Sequence, residues 1–441
     1  MPKPPSSSAP TKHHSPGYLR YVKLLAFLVV MISLMDRYVV SILMEQIKAD
    51  LSLTDIQLGW LVGPAFVLTH IICQLPLARM ADYRIRRNII AFAMALWSLF
   101  TIGAGVTRNF SQLFVTRMGV GIAEAAVAPA LASLLSDLFG ARRRGKAMSM
   151  LSIGGIAGIG AGMLLGGIIG QAYGWRTALI IAGIPGVVLS IIFWLTVSEP
   201  TRGASDPQSA SGPQPQPTTL RVLQTLLSNR TFRWLLIGAS LSMVTGIGRG
   251  AWEPVFLMRV YEMDQAKAGM IYFLINPLPS MLGGFLGGIV IDKLITRDLR
   301  WYLWLPALAM LANFPLIAGF LLWPTTDTLW DDGLPVGFAF SIFASIAGSM
   351  MAPAVIATAQ SLAHSSMRAM AHAVWSMVAN LVGMGLGPVV AGGLSEYLMP
   401  SYGHESIRYS LLIVSSVAIP AAAALWYGAK TLRQDFANTA T

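Results

Sequence analysis

The chain has 441 residues, of which 55% are hydrophobic and only 12% charged. Soluble domains average about 25% charged residues, so this composition argues against a water-soluble enzyme or binding module and for a membrane protein of many spans. The net charge of +11 would suit nucleic acid or anionic lipid; its distribution along the chain gives it another meaning.

Residues 1–20, rich in Pro and Ser, read as a disordered tail. A helix crossing about 30 Å of hydrocarbon needs about 20 apolar residues. Such windows fall at 21–44, 56–80, 88–107, 110–139, 146–172 and 176–197, and again at 232–258, 267–291, 301–323, 334–362, 369–397 and 407–429. Twelve spans are therefore expected, giving an all-α membrane protein. Between the sixth and seventh lies "SEPTRGASDPQSASGPQPQPTT", too polar and too rich in Pro, Gly and Ser to fold. The expected organisation is a six-helix bundle over 21–198, a linker over 199–230, a second bundle over 231–430 and a tail over 431–441.

Basic residues orient the spans. With both termini cytoplasmic, the outer loops hold only Lys48, Arg108, Arg176, Arg259, Lys267 and Arg408 of the 31 Lys and Arg. Arg37, Arg117 and Arg249 lie inside spans, and the rest cluster inside, as in "RMADYRIRR" and "ARRRGK". This fits the positive-inside rule. The basic excess is topology, and no nucleic-acid partner is expected. Cys73 is the one cysteine, so an internal disulfide is excluded and a small buried hydrophobe is expected.

The charges inside the spans stand out. "ISLMDRYVVSIL" sets Asp36 and Arg37 in the middle of the first apolar run. A charge at mid-bilayer costs about 2.5–3.5 kcal/mol on insertion scales, and such residues face a wet cavity, pair with each other, or move ions. Adjacent residues point about 100° apart on a helix, so Asp36 and Arg37 cannot share a partner. One is expected to face a cavity and the other a neighbouring helix. Arg117 and Glu124 are seven apart, hence on one face about 10 Å apart along the axis, and both can face the cavity. Arg249 and Glu253 are four apart, close enough to pair on their own helix. The chemistry expected is proton exchange at Asp36 and Glu124, since burial favours a neutral carboxyl and a nearby Arg opposes it. Arg37, Arg117, Arg249, Glu253 and Trp375 are expected to contact substrate, the arginines because their forked donors suit phosphate. His70 reads as a packing histidine.

The halves echo each other. "ARMADYRIRR" follows the second span and "GGIVIDKLITR" the eighth, placing Asp82 and Asp292 in matching loops. The fifth span is dense in glycine and the eleventh repeats the theme in "GMGLGPVVAGG". Small residues at three- and four-residue spacing let helices approach closely.

These features resemble the major facilitator superfamily over nearly the whole chain. Its loop signature, G-x-x-x-D-R-x-G-R-R, is matched by Asp82, Arg86 and Arg87. Ala78, Tyr83 and Ile85 depart from it. Within that superfamily "MDRYVVSIL", "IKADLSLTDIQLGWL", "PLARMADYRIRRN", "ALWSLFT" and "TRMGVGIAEAAVAPA" resemble the Spinster group. The resemblance implies the major facilitator fold, with a central cavity lined chiefly by spans one, four, seven and ten, and alternating access. It also implies a lipid-like amphipathic substrate, such as a sphingosine phosphate or lysophospholipid, proton coupling, and a gating role for Asp82, with Arg86 and Asp292 beside it. The expected protein is a monomeric transporter of the bacterial inner membrane, surrounded by membrane lipids. The alternative is a proton-linked drug or organic-anion carrier. No ATP-binding loop, dinucleotide fingerprint or metal-ligand cluster occurs in the sequence, so neither an enzyme nor a cofactor or metal is expected.

Overall fold

The computed structural model describes residues 15–139, 141–201, 219–329, 333–363 and 367–440. In chain order the helices are α1 (Pro16–Leu51), α2 (Asp55–Val62), α3 (Pro64–Tyr83), α4 (Arg86–Ala104), α5 (Phe110–Glu124), α6 (Val127–Leu138), α7 (Ala141–Thr196) and α8 (Thr219–Ser228). They continue as α9 (Arg230–Val260), α10 (Gln265–Ile275), α11 (Pro277–Leu294), α12 (Trp301–Leu322), α13 (Val336–Ser349), α14 (Met351–Ser361), α15 (Arg368–Tyr402), α16 (Ser406–Ser416) and α17 (Ala418–Ala440). Among the described residues there is no strand beyond one isolated bridge, Thr328 to Pro335.

Local sequence sets where these helices start and break. Ser15 caps α1, accepting from the Tyr18 amide at 3.2 Å, with Pro16 in the first turn, where its missing N–H costs nothing. The helix thus begins inside the stretch expected to be disordered. Thr54 and Gln57 form a reciprocal capping box at α2. Pro64 and Pro277 each open a helix in the middle of an apolar run, so α2–α3 and α10–α11 are each one run broken at the same point. A proline there lacks the N–H and crowds the carbonyl four residues back. The long α7 reverses at Gly174, whose φ of 82° is open to glycine. Ser52 and Glu262, just past α1 and α9, both adopt left-handed backbone at φ 51° and 52°.

Among the described residues, nine helical stretches are long and apolar enough to cross a membrane; two of them, Ala147–Thr196 and Met370–Ala437, far exceed the roughly 20 residues needed. Ile72, Phe92 and Phe285 point outward and are mostly exposed, as suits a lipid-facing surface. The tail expected over 431–441 instead continues α17, with Leu432 buried and Asp435 accepting from the Thr231 amide and hydroxyl at 2.9 and 2.7 Å. Part of the expected 199–230 linker is α8. Val222 and Leu226, one turn apart, bury the same face, a pattern hidden behind the polar run before it.

In the first half of the chain α7 packs against α1 and α4, and α5 against α3 and α4; in the second, α9 packs against α15 and α17, and α12 against α13 and α17. A shared hydrophobic core joins the halves, with Leu43, Ile47 and Leu58 on one side and Trp252, Val255 and Ile271 on the other. It lies at the end of the molecule away from the two termini. There α2 lies against α15 so closely that a Cβ on Gly59 would sit 2.6 Å from the Pro388 carbonyl oxygen.

Candidate functional site

α1 carries Asp36 and Arg37 past α5, and the two neighbours reach different partners. Asp36 accepts from Arg117 Nη1 at 3.3 Å and from the Thr101 hydroxyl on α4. Arg37 Nη2 meets Glu124 Oε1 at 2.5 Å, and Ser33 Oγ donates to the same oxygen at 2.6 Å. Adjacent positions on one helix thus meet positions about 10 Å apart on another, because the side chains diverge by 100° and each pair contains one long arginine. Asp36, Arg117 and Glu124 are buried, while the Arg37 side chain keeps 23% exposure. Asp36 therefore turns to the neighbouring helices and Arg37 is the more open of the two. Arg117 and Glu124 turn toward α1.

Phe66 lies beneath both arginines, its ring 4.4 Å from the Arg37 guanidinium carbon and 6.0 Å from that of Arg117. His70 stacks on the same ring at 5.2 Å. Several polar atoms here are buried without a partner among the described residues: Glu124 Oε2, Arg37 Nε, Arg117 Nε and His70 Nδ1. The quartet contains two carboxylates and two guanidiniums, but its hydrogen bonding is incomplete. In low dielectric each unmet group costs free energy, so this constellation can gain by changing a proton, a water or a guest.

In the second half Arg249 Nη1 pairs with Glu253 Oε2 at 2.8 Å on the same helix, α9. Asn276 Nδ2 donates to Glu253 Oε2 at 3.0 Å, and the Ser341 hydroxyl lies 3.4 Å from Oε1. Asn276 stands at the α10–α11 break, and the break is what frees its side chain to reach α9. A cavity of about 280 Å³ opens beside this pair. Arg249, Asn276, Asn313, Ser349 and Trp375 are on its lining; Glu253 and the first-half quartet are not. The cavity belongs to α9–α15 alone, rather than to all four helices implied by the resemblance.

A second charged cluster closes the end away from the termini. Arg259, at the last turn of α9, donates to Glu45 on α1 at 2.7 Å and to both Asp55 oxygens on α2 at 2.7 and 2.8 Å. Asp55 also accepts from Lys48 at 2.6 Å and from the Ser395 hydroxyl at 2.7 Å. Glu396 accepts from the Ile56 amide at 3.1 Å, and Gln171 from the Ala266 amide at 3.0 Å. Each of the contacts from Arg259, Ser395, Glu396 and Gln171 joins the two halves. Sequence reasoning treated Lys48 and Arg259 as outer-loop charges only. The signal it lacked is spatial: Glu45, Asp55 and Arg259 sit at like depths on three helices, which a linear count cannot register.

Of the residues expected at the gates, Asp82 lies in the last turn of α3 and its side chain lies outside the described residues; Asp292 is exposed near the end of α11. Arg86 is buried and holds Asp137 at 2.6 Å and Glu199 at 2.7 Å, with the Ser133 hydroxyl at 2.9 Å. It ties α4, α6 and the chain after α7 together within the first half.

Buried charge pairs at mid-helix, broken apolar helices and a lipid-facing exterior define a polytopic membrane protein organised around an internal polar path. Residues 26–381 match the Major Facilitator Superfamily, and the chain belongs to that transporter family. It is 30% identical over 418 residues to a Mycolicibacterium smegmatis protein named MFS-type efflux pump, covering 94% of this chain and 93% of that one. It is 25% identical over 416 residues to Danio rerio protein spinster homolog 3, covering 88% and 80%. Its structure resembles the crystal structure of a bacterial homolog of the human lysosomal transporter Spinster in an inward-facing and unoccupied conformation. There the TM-score is 0.87 at 25% identity, with 96% of this chain and 99% of that one covered.

Proposed function

We propose that the chain is a secondary transporter that moves an amphipathic lipid-like anion, of the lysophospholipid or sphingosine phosphate class, by alternating access coupled to protons. On this reading it has twelve spans in two six-helix bundles, the stretches Ala147–Thr196 and Met370–Ala437 each counting as two and α9 as one. Both termini face the cytoplasm of a bacterial inner membrane, and the Arg259 cluster is the closed outer gate. The observation that carries the coupling is the crossed pairing of Asp36 with Arg117 and of Arg37 with Glu124. Each carboxylate has one arginine that can hold it ionised and, when drawn away, release it to take a proton. Arg37, the more exposed cation, is placed to give up Glu124 for an anionic head group. The kinship with Spinster proteins supports the substrate class.

A second reading, a proton-linked drug or organic-anion carrier, draws on the relative named as an efflux pump. Proton flux into liposomes carrying the purified protein separates the two. Lysophospholipid-dependent flux that disappears in Asp36→Asn and Glu124→Gln supports the lipid carrier. Flux driven only by lipophilic drugs or small organic anions moves the assignment to the second reading. Arg117→Ala is expected to weaken phosphorylated lipids more than neutral ones. Equal losses would make Arg117 structural.

A further inference from the structure

The cavity on α9–α15 is chemically unlike the charged quartet. The hydroxyl protons of Ser242, Thr245, Ser345 and Ser349 on its lining are committed to backbone carbonyls. Ser242 donates to the Gly238 carbonyl at 2.7 Å and Thr245 to Leu241 at 3.1 Å, each one turn back on its own helix. Ser349 likewise donates to the Ser345 carbonyl, and Ser345 crosses to the Ile275 carbonyl at 3.1 Å. Asn276 gives an amide N–H to Glu253 and Asn313 gives one to the Ala344 carbonyl at 2.7 Å. These partners are carbonyls or a carboxylate, so the direction of each bond is fixed. Each hydroxyl oxygen and amide oxygen keeps lone pairs to offer. The lining also holds two donors: the Arg249 guanidinium, one of whose nitrogens is engaged by Glu253, and the Trp375 indole N–H, which has no partner among the described residues.

We infer that this cavity is a hydroxyl-recognising subsite that takes the polyhydroxylated part of an anionic guest. The guest's hydroxyls donate to the Ser, Thr and Asn oxygens, and its anion meets the free edge of Arg249. Other guests fit less well. An ammonium would face Arg249 on the lining, while Glu253 stays behind it. A bare phosphate only accepts: it could use Arg249 and the Trp375 N–H but would leave the Ser, Thr and Asn oxygens unmet. A hydrocarbon chain would meet Met243, Met310, Met351 and Val355 on the same lining but leave the Ser, Thr and Asn oxygens without a donor. About 280 Å³ holds a six-carbon polyol and no long chain. The same chemistry occurs in a free sugar acid and in the glycerol head group of an anionic lysolipid. The inference rests on the transporter reading, but binding tests it separately from transport.

The test is calorimetric binding to the purified full-length protein with two matched pairs. The first is D-glucarate against adipate, equal in carbon number and charge but differing in four hydroxyls. The second is lysophosphatidylglycerol against lysophosphatidylpropanol, equal in charge and head-group carbons but differing in two hydroxyls. The hydroxylated member of at least one pair binds about tenfold tighter, as expected from one to two hydrogen bonds. Discrimination in the first pair makes the guest a free sugar acid; in the second, a lipid head group. In Ser242→Ala/Ser349→Ala, which removes only bonds to the same helix's own carbonyls, that gap shrinks to about threefold or less while the other member is unaffected. Thermal unfolding monitors folding, and Thr245→Val serves if the double variant unfolds early. No discrimination in either pair, or a gap that survives a folded variant, overturns the subsite. Lipid-driven proton flux persisting in that case would leave the transporter reading standing.

Discussion

Asp36 and Arg37 meet Arg117 and Glu124 inside the first half of the chain, whereas Arg259 of the second half meets Glu45 and Asp55 of the first. Both clusters are buried networks of carboxylates and guanidiniums, yet they answer to different motions. If the halves rock as units, α1, α4 and α5 travel together and the quartet can stay paired. The Arg259 cluster must come apart, because its members lie on opposite sides of the divide. On the proposed reading, charge within a half would sense a proton or a guest, while charge between halves would set how long the closed end remains closed. The Arg249–Glu253 pair is a third case. It rides on one helix and is indifferent to either motion.

The sharpest way to break this comparison is Arg259→Ala. It leaves Asp55, which is 1% exposed, with Lys48 as its remaining cation. Removing one partner of a buried pair costs about 3–5 kcal/mol, so the closed end is expected to lose most of its population. Spin-label distances across that end, between α2 and α15, would lengthen. An unchanged distribution would assign the closure to apolar packing alone. Asp36→Asn is the complement. Substrate-coupled proton uptake in liposomes falls by about tenfold or more, and the same spin-label distances stay as they were. If they move, the two clusters are not independent.

Gly59→Val tests the packing part of the seal. The added side chain meets the Pro388 carbonyl across the α2–α15 contact, and overpacking of this kind costs about 1–3 kcal/mol. A smaller shift of the same spin labels toward the open form is expected. The mildest change is Thr101→Val, which removes one hydrogen bond to Asp36. Thermal stability should fall by about 1 kcal/mol with the closed end unaffected. A loss several times larger would show that Thr101 holds the quartet's geometry.

Much of this architecture was legible in the sequence. Apolar windows located the helices because hydrocarbon thickness demands their length, and the cost of charge in that setting singled out Asp36, Arg37, Arg117, Glu124, Arg249 and Glu253. The i, i+4 spacing anticipated the Arg249–Glu253 pair, a contact within one helix. Pairings between helices were out of reach, since they depend on how α1 is turned against α5. The same holds for Thr101 and Ser33, polar residues among apolar ones that only packing aims at a carboxylate. Arg86 was expected at a gate from its loop motif. Its partners Asp137 and Glu199, 51 and 113 positions away, show it bracing one half internally. Trp375, Arg249 and Asn276 share a cavity because three separate helices converge there, and no spacing rule links them.

Ser52, directly after α1, and Glu262, two residues past the end of α9, both turn the chain with left-handed backbone. One is small and uncharged, the other long and acidic, and neither is the glycine that such a backbone favours. What the two halves hold in common at this point is a path of the main chain rather than a residue. Seen as engineering, it marks two places where the chain carries strain of about 1 kcal/mol each, and where a glycine could be exchanged in without touching the transport path.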